Sequence, residues 1–215
     1  MNRAKIGIVT GLQAEAQWLR NCGFMVRAGG GTSHGAQAAA EALVEDGAKG
    51  LISFGLAGGL RPGLRPGTVL VPSMVIFGTR TYPCDYRLME FLGGATPNPI
   101  LSGHKIAATA HAKALLYQRH RPAAIDLESG SVAATAKERQ LPFAVLRAVA
   151  DPAERDLPPA ALVALKDDGS LDFMRLANSI IRQPWQMPAL FVVGLDARAA
   201  RRALLNRIKL LPASS

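Results

Sequence analysis

Three carboxylates in this chain stand directly after apolar runs of strand character. Glu15 lies four residues beyond Gly11, which ends Lys5–Thr10 (KIGIVT); Glu128 ends Ala123–Leu127 (AAIDL); Asp151 ends Phe143–Ala150 (FAVLRAVA). A fourth apolar run, Gly50–Gly55 (GLISFG), leads into Ala57-Gly58-Gly59, where missing side chains permit a tight turn or close approach of a ligand. In a parallel sheet the carboxyl ends of the strands share one edge, and ligands bind outside that edge. Carboxylates gathered there can exchange protons or accept hydrogen bonds from hydroxyls. Taken singly, each could cap a helix or face water; their joint placement favours a site.

The elements that would carry these residues alternate between strand and helix. Helical patterns follow over Gln13–Asn21, with Leu12, Ala16 and Leu19 on one face, and over Gly35–Glu45, capped by Thr32 or Ser33. Ala107–Gln118 and Ser131–Arg139 also read as helices, and further helices are expected over 170–182 and 195–210. Gly67–Phe77 reads as a strand pair or a bent strand broken at Pro72, residues 78–100 as loop, and Asp151–Pro159 as a loop able to cover a site. Alternating strands and helices imply an α/β fold: a three-layer α/β/α sandwich around a mixed, mostly parallel sheet, in a single domain spanning residues 1–215.

Composition narrows the function classes. With 49% hydrophobic and 19% charged residues, the 215-residue chain has the make-up of a globular domain. No cleavable leader is expected, because Arg3 and Lys5 run straight into the first strand, and no apolar run approaches the roughly 18 residues of a membrane span. Cys22 and Cys84 lack zinc-site spacing and fit a reducing cytoplasm. His34, His104, His111 and His120 show no metal spacing, so no metal or other cofactor is expected. The net charge of +9 raises nucleic acid as a partner, but residues 194–215 alone carry five basic residues against Asp196, and interleaved aromatics are missing; no nucleic-acid role is expected.

Three blocks resemble the superfamily of purine nucleoside phosphorylases and methylthioadenosine/adenosylhomocysteine nucleosidases. KIGIVTGLQAE (Lys5–Glu15) is similar to the family's first strand and acidic turn, and LISFGLAGGLRPGLRPGTVLVP (Leu51–Pro72) to its glycine turn and following strand. AIDLESGSVAATAKERQLPFAVLRAVAD (Ala124–Asp151) is similar to the ribose-binding Met-Glu segment and the strand running from an arginine to an aspartate. Among the branches, the short length and Asp-Leu-Glu-Ser look most like the hopanoid-associated phosphorylases, implicated in removing adenine from adenosylhopane. The resemblance implies an enzyme that breaks the N-glycosidic bond of a purine nucleoside, assembled as a homo-oligomer. It implies that Asp151 protonates the departing base, that Arg147 positions the nucleophile and Glu15, and that Glu15 activates water. Glu128 would bind the ribose hydroxyls with Leu127 against the sugar, and Ala57, Gly58, Ile106 and Ala150 would line the substrate pocket.

Ser53 and Leu56 stand where phosphorylases typically hold phosphate with arginine and serine, so water is the favoured acceptor and inorganic phosphate the alternative co-substrate. A residual anion site is expected from amides at Gly29–Gly31 or Gly58–Gly59 with Arg20, Arg27 or Arg61. Tyr82, Tyr86, Leu88, Met89, Phe91 and Leu92 offer a route for an apolar substituent, against a core or interface role. Ala197, Ala200, Leu204, Ile208 and Leu211 form the apolar stripe of a basic helix over 195–211, which either docks on the core or contacts the inner membrane surface, as a lipid-linked nucleoside would require. A non-catalytic nucleoside-binding module is the competing class.

Overall fold

The computed structural model describes residues 2–163 and 183–212. The helix expected over 170–182 lies outside them. The first strand, β1 (Ile6–Thr10), is buried throughout and runs parallel to β2 (Met25–Ala28) on one side and β3 (Gly50–Gly59) on the other. Strand β3 pairs in parallel with β9 (Phe143–Asp151) and, at its carboxyl end, antiparallel with β8 (Ala124–Asp126). From β8 the sheet continues through β7 (Ile100–Ser102) and β5 (Met74–Phe77) to β6 (Arg80–Pro83), while the short β4 (Val69–Leu70) adds to β9. The result is a nine-stranded mixed sheet, mostly parallel, with helices on both sides.

Apolar periodicity and caps account for the helices. Helix α1 (Gln13–Trp18) is shorter than its pattern and buries only Glu15, with Leu19 closing the turn. Helix α2 (Ser33–Glu45) starts at Thr32, whose hydroxyl accepts from the Gly35 N–H, and it packs against α5 (Ser129–Glu138), which lies over β3, β5 and β9. Helix α4 (Ala110–His120) is capped by Thr109. The loop after β9 leads to the short α6 (Pro159–Val163).

Two expectations are corrected, and of the two roles weighed for the side chains of Tyr82–Leu92 the core role is met. Ala57-Gly58-Gly59 is not a turn but the end of β3, pinned between β8 and β9. A Cβ at Gly59 would fall 3.2 Å from the Asp151 carbonyl oxygen, so glycine serves close strand approach. Residues 78–100 are not a plain loop: they hold β6 and α3 (Tyr86–Phe91), the latter started by the Asp85 carboxylate accepting from the Leu88 N–H. Nor do their aromatic and aliphatic side chains form a substrate route, because Tyr82, Leu88, Met89, Phe91 and Leu92 are buried in the main core and only Tyr86 is exposed.

The C-terminal helix α7 begins earlier than its stripe suggests and runs Met187–Leu210. Ala200, Leu204 and Ile208 on it, with Leu211 just beyond, are buried, and the helix lies against β9. This stripe is therefore core, and Arg207 ties the helix down by donating to the Leu92 carbonyl. Among the described residues, no helix is long and apolar enough to cross a membrane. Removing a buried leucine costs about 2–5 kcal/mol, whereas an exposed one costs within about 0.5 kcal/mol. Leu204→Ala, at a fully buried position, should thus lower the urea unfolding midpoint strongly, and Leu210→Ala, at 80% exposure, hardly at all.

Candidate active site

The carboxyl edge of the sheet opens into a cavity of about 320 Å³. Its lining includes Asp151, Glu15, Arg147, Glu128, Leu127, Ala57, Gly58, Ile106 and Ala150, so the nine residues expected to act on or bind the nucleoside face one space. The remaining lining is mainly apolar, including Leu12, Leu56, Ile125, Leu157, Leu162 and Val193. Within this wall the polar groups form two clusters.

The first is built around Arg147, whose side chain is 1% exposed. Its Nη2 donates to Glu128 Oε2 at 2.9 Å and to Ser53 Oγ at 2.8 Å, and its Nη1 donates to the Leu56 carbonyl at 3.1 Å. Its Nε lies 2.9 Å from Asp126 Oδ2, an ion pair by distance that lacks the alignment of a hydrogen bond. Asp126 also accepts from the Ser129 N–H at 3.1 Å and from its hydroxyl, and that hydroxyl meets Ser53 Oγ at 3.0 Å. Glu15 completes the cluster: Oε1 accepts from the Leu56 N–H at 2.8 Å and Oε2 from the Leu12 N–H at 2.9 Å. Glu15 therefore does stabilise the start of α1 as well as lining the cavity.

Burial raises the Glu15 carboxyl above its usual range, against the opposing pull of Arg147 and three backbone N–H groups. Burial also pushes Glu128 up to about 7, with Arg147 lowering it and Asp126 and Glu15 adding to the rise. Burial works against the charge on Arg147, but Asp126, Glu128 and Glu15 outweigh it and hold the guanidinium charged.

The second cluster belongs to Asp151. Its Oδ2 forms a 2.6 Å ion pair with Lys113 Nζ of α4, whose side chain is fully buried. Its Oδ1 is buried and has no hydrogen-bond partner among the described residues. Burial raises the Asp151 carboxyl, opposed first by the Lys113 hydrogen bond and then by the Lys113 and Arg155 charges, with Asp196 adding to the rise. Regular alternation along β9 would put Arg147 and Asp151 on one face, but the register with β3 passes from Ala57↔Val149 directly to Gly58↔Asp151. This irregularity redirects Asp151, and the two side chains turn to different partners.

Two residues that hold these clusters together, Asp126 and Lys113, escaped the sequence reading. Asp126 had a signal, because it closes the same apolar run two residues before Glu128, a spacing that shares a face wherever the chain is extended. Lys113 had none: a lysine in an alanine-rich helix reads as a solvated residue. None of the arginines expected at an anion site, Arg20, Arg27 and Arg61, lines the cavity. The Gly29 and Gly31 N–H groups donate to the Thr10 and Gly11 carbonyls, Arg27 pairs with Asp46, Arg61 donates to Asn98, and Arg20 is exposed.

A nine-stranded mixed sheet with a carboxylate-lined cavity at its carboxyl edge defines the nucleoside phosphorylase and nucleosidase type of α/β fold. Residues 17–98 match the model of the phosphorylase superfamily. No curated protein matches the chain. Among solved structures, S-adenosylhomocysteine nucleosidase from Streptococcus pyogenes, in complex with 5-methylthiotubericidin, superposes with a TM-score of 0.68 at 17% identity over 99% of each chain. The 5'-methylthioadenosine/S-adenosylhomocysteine nucleosidase from Neisseria meningitidis, in complex with methylthio-immucillin-A, gives 0.65 at 18% identity over 94% of this chain and 96% of its own. Futalosine hydrolase of Helicobacter pylori gives 0.67 at 13% identity over 95% and 96%.

Two predictions follow from the Arg147 cluster. Gly55 has φ +149°, and a Cβ there would fall 2.6 Å from Glu15 Oε1 and 2.8 Å from Arg147 Nη1. Gly55→Ala should destabilise by about 1–3 kcal/mol through overpacking, read as a lower urea midpoint. Glu128, raised from 4.5 to about 7, holds its proton more tightly folded than unfolded. Its contribution to stability is complete below about pH 4.5 and is lost as pH rises through about 7, because the folded state binds more protons in that window. Unfolding free energies measured from pH 4 to 8 should fall less steeply across this window in Glu128→Gln than in the wild type.

Proposed function

We propose that this chain is an enzyme cleaving the N-glycosidic bond of a purine nucleoside, with Asp151 as general acid and water as the acceptor. The observation that carries this reading is Asp151 Oδ1, buried and unpartnered among the described residues, in the same cavity as the Arg147–Glu128–Glu15 cluster. A raised carboxyl is what a proton donor to purine N7 requires, and general acid catalysis contributes about 10² to 10⁴ in rate. As the bond between C1′ and N9 breaks, its electron pair passes into the base. The Asp151 proton goes to N7, and the ribose acquires oxocarbenium character.

Glu128 accepts hydrogen bonds from the ribose hydroxyls, and its negative form favours the cationic sugar. Glu15 keeps lone pairs beyond those used by backbone N–H groups, so it can still take a proton from the attacking water. Arg147 holds Glu128 in place by a hydrogen bond, while the Leu12 and Leu56 N–H groups hold Glu15. The products are the free base and ribose, and the proton taken by Glu15 balances the one given by Asp151.

Two features support water over phosphate. Arg147 already serves Asp126, Glu128, Ser53 and the Leu56 carbonyl, which leaves no free guanidinium fork for an oxyanion. Leu56 brings an alkyl side chain to the cavity wall where a hydroxyl would assist phosphate. The finer substrate reading is an adenine nucleoside with a large apolar 5′ group, such as adenosylhopane. Ile106, Leu157, Leu162 and Val193 supply an apolar wall for it.

The test is release of free base from adenosylhopane, methylthioadenosine and inosine, run with and without phosphate. Base release should need no phosphate, and strict phosphate dependence with a ribose 1-phosphate product would overturn the hydrolytic reading. Asp151→Asn should lose about 10²- to 10⁴-fold in kcat with KM little changed; unchanged turnover removes Asp151 from the mechanism, and binding without turnover in the wild type makes the protein a binding module.

A further inference from the structure

Lys113 belongs to no part of the mechanism above, yet it is as fully enclosed as Arg147, at 0% exposure against 1%. A lysine with 0% exposure is unusual, since an ammonium out of water must be completely paired. Here its three donors have three acceptors: Asp151 Oδ2 at 2.6 Å, the Pro152 carbonyl at 2.9 Å and the Arg155 carbonyl at 2.7 Å. All three belong to the end of β9 and the loop that follows it. The same loop is fastened at two more points, to α4 by the Ala110 N–H donating to Asp156 Oδ1 at 2.7 Å and to the segment just before α4 by the Leu157 N–H donating to the Ala108 carbonyl at 2.8 Å. Leu157 in turn lines the cavity.

We propose that Lys113 is a positioning residue for the general acid: by holding Asp151 Oδ2 and the carbonyls of residues 152 and 155 on one ammonium, it fixes the carboxyl plane and reserves Oδ1 for the base. This rests on the reading of Asp151 as proton donor. A carboxyl free to rotate would present either oxygen, or neither, to the ligand. With Oδ2 committed, only Oδ1 is left to face the base, and the buried, unpartnered state of Oδ1 fits that division. Lys113 acts through Asp151 and does not line the cavity itself. The charged groups facing Asp151 are Lys113 from α4, Arg155 from the adjoining loop and Asp196 from α7. Of these, Lys113 opposes the burial-driven rise most, so its loss should let the carboxyl hold its proton to higher pH.

The experiment compares wild type with Lys113→Met in two ways. One is the pH profile of kcat and KM for base release from the best nucleoside substrate. The other is the carbon-13 NMR titration of the Asp151 carboxyl, assigned with Asp151→Asn. In the folded Lys113→Met protein, kcat should fall about 10- to 100-fold from misplacement of the acid while KM changes little. The alkaline limb of kcat and the Asp151 titration should both move to higher pH. A purely structural role would lower the amount of folded protein and leave both pH positions where they were, and that result overturns the proposal, as does an unchanged kcat. If Lys113→Met does not fold, Lys113→Gln, which keeps a donor and loses the charge, is measured against the same outcomes. Should the wild type cleave no nucleoside, the functional reading fails, and the carboxyl titration still decides whether Lys113 governs Asp151.

Discussion

One guanidinium, sealed in the sheet, is set against three carboxylates. The Arg147 and Asp126 side chains are each only 1% exposed, so each charge is tolerable only because the other is there. Taking one member from such a buried pair costs about 3–5 kcal/mol, which makes the cluster as much a condition of folding as of chemistry. Much of the local sequence is explained by it. Gly55 sits opposite Arg147 in the β3–β9 ladder, and Gly11 lies where a Cβ would fall 2.5 Å from Glu128 Oε1; both must lack a side chain for the cluster to exist. Ser53 and Ser129 carry hydroxyls inside the core because the guanidinium and Asp126 have donors and acceptors still to satisfy.

The two clusters give similar residue types different characters. Glu15 and Glu128 are buried with a guanidinium that stays charged, and both already accept N–H donors, which suits acceptors of protons and hydroxyls. Asp151 is paired through one oxygen to a single ammonium and leaves the other bare, which suits a donor to a ligand. Separating carboxyl groups by environment is how one cavity runs acid and base chemistry together. The irregularity in β9 makes the separation possible, since unbroken alternation would have turned Asp151 toward the side that Arg147 occupies.

The strands were legible because they are buried on both faces. Ile6–Thr10 and Phe143–Val149 are uniformly apolar apart from Thr10 and Arg147, and the edge rule then sent their following carboxylates to a common site. The failures came where tertiary contact outweighs local pattern. Ala57-Gly58-Gly59 has the composition of a turn but is held straight by strands on both sides. Residues 78–100, rich in glycine and proline, hide a short helix whose cap, Asp85, gave the one local signal. Helix α4 inverts the usual rule outright: Lys113 is buried and Leu115 is 54% exposed, because an acceptor cluster at the end of β9 lies under the lysine and nothing apolar in the helix's own sequence could reveal it.

The C-terminal helix shows the same limit differently. Its stripe was readable, yet a stripe alone does not name what it faces. Val193 and Ala197, one turn apart, line the cavity; Ala200, Leu204 and Ile208 continue along the helix into the core against β9. One apolar face is therefore spent first on the site wall and then on packing, with Asp196 between them paired to Arg155 of the loop that carries the cavity's Leu157. The helix cannot shift along β9 without moving the cavity wall, and the loop after Asp151 is anchored to it on one side and to α4 on the other. The geometry at Asp151 thus depends on two helices, α4 and α7, that lie outside its own strand.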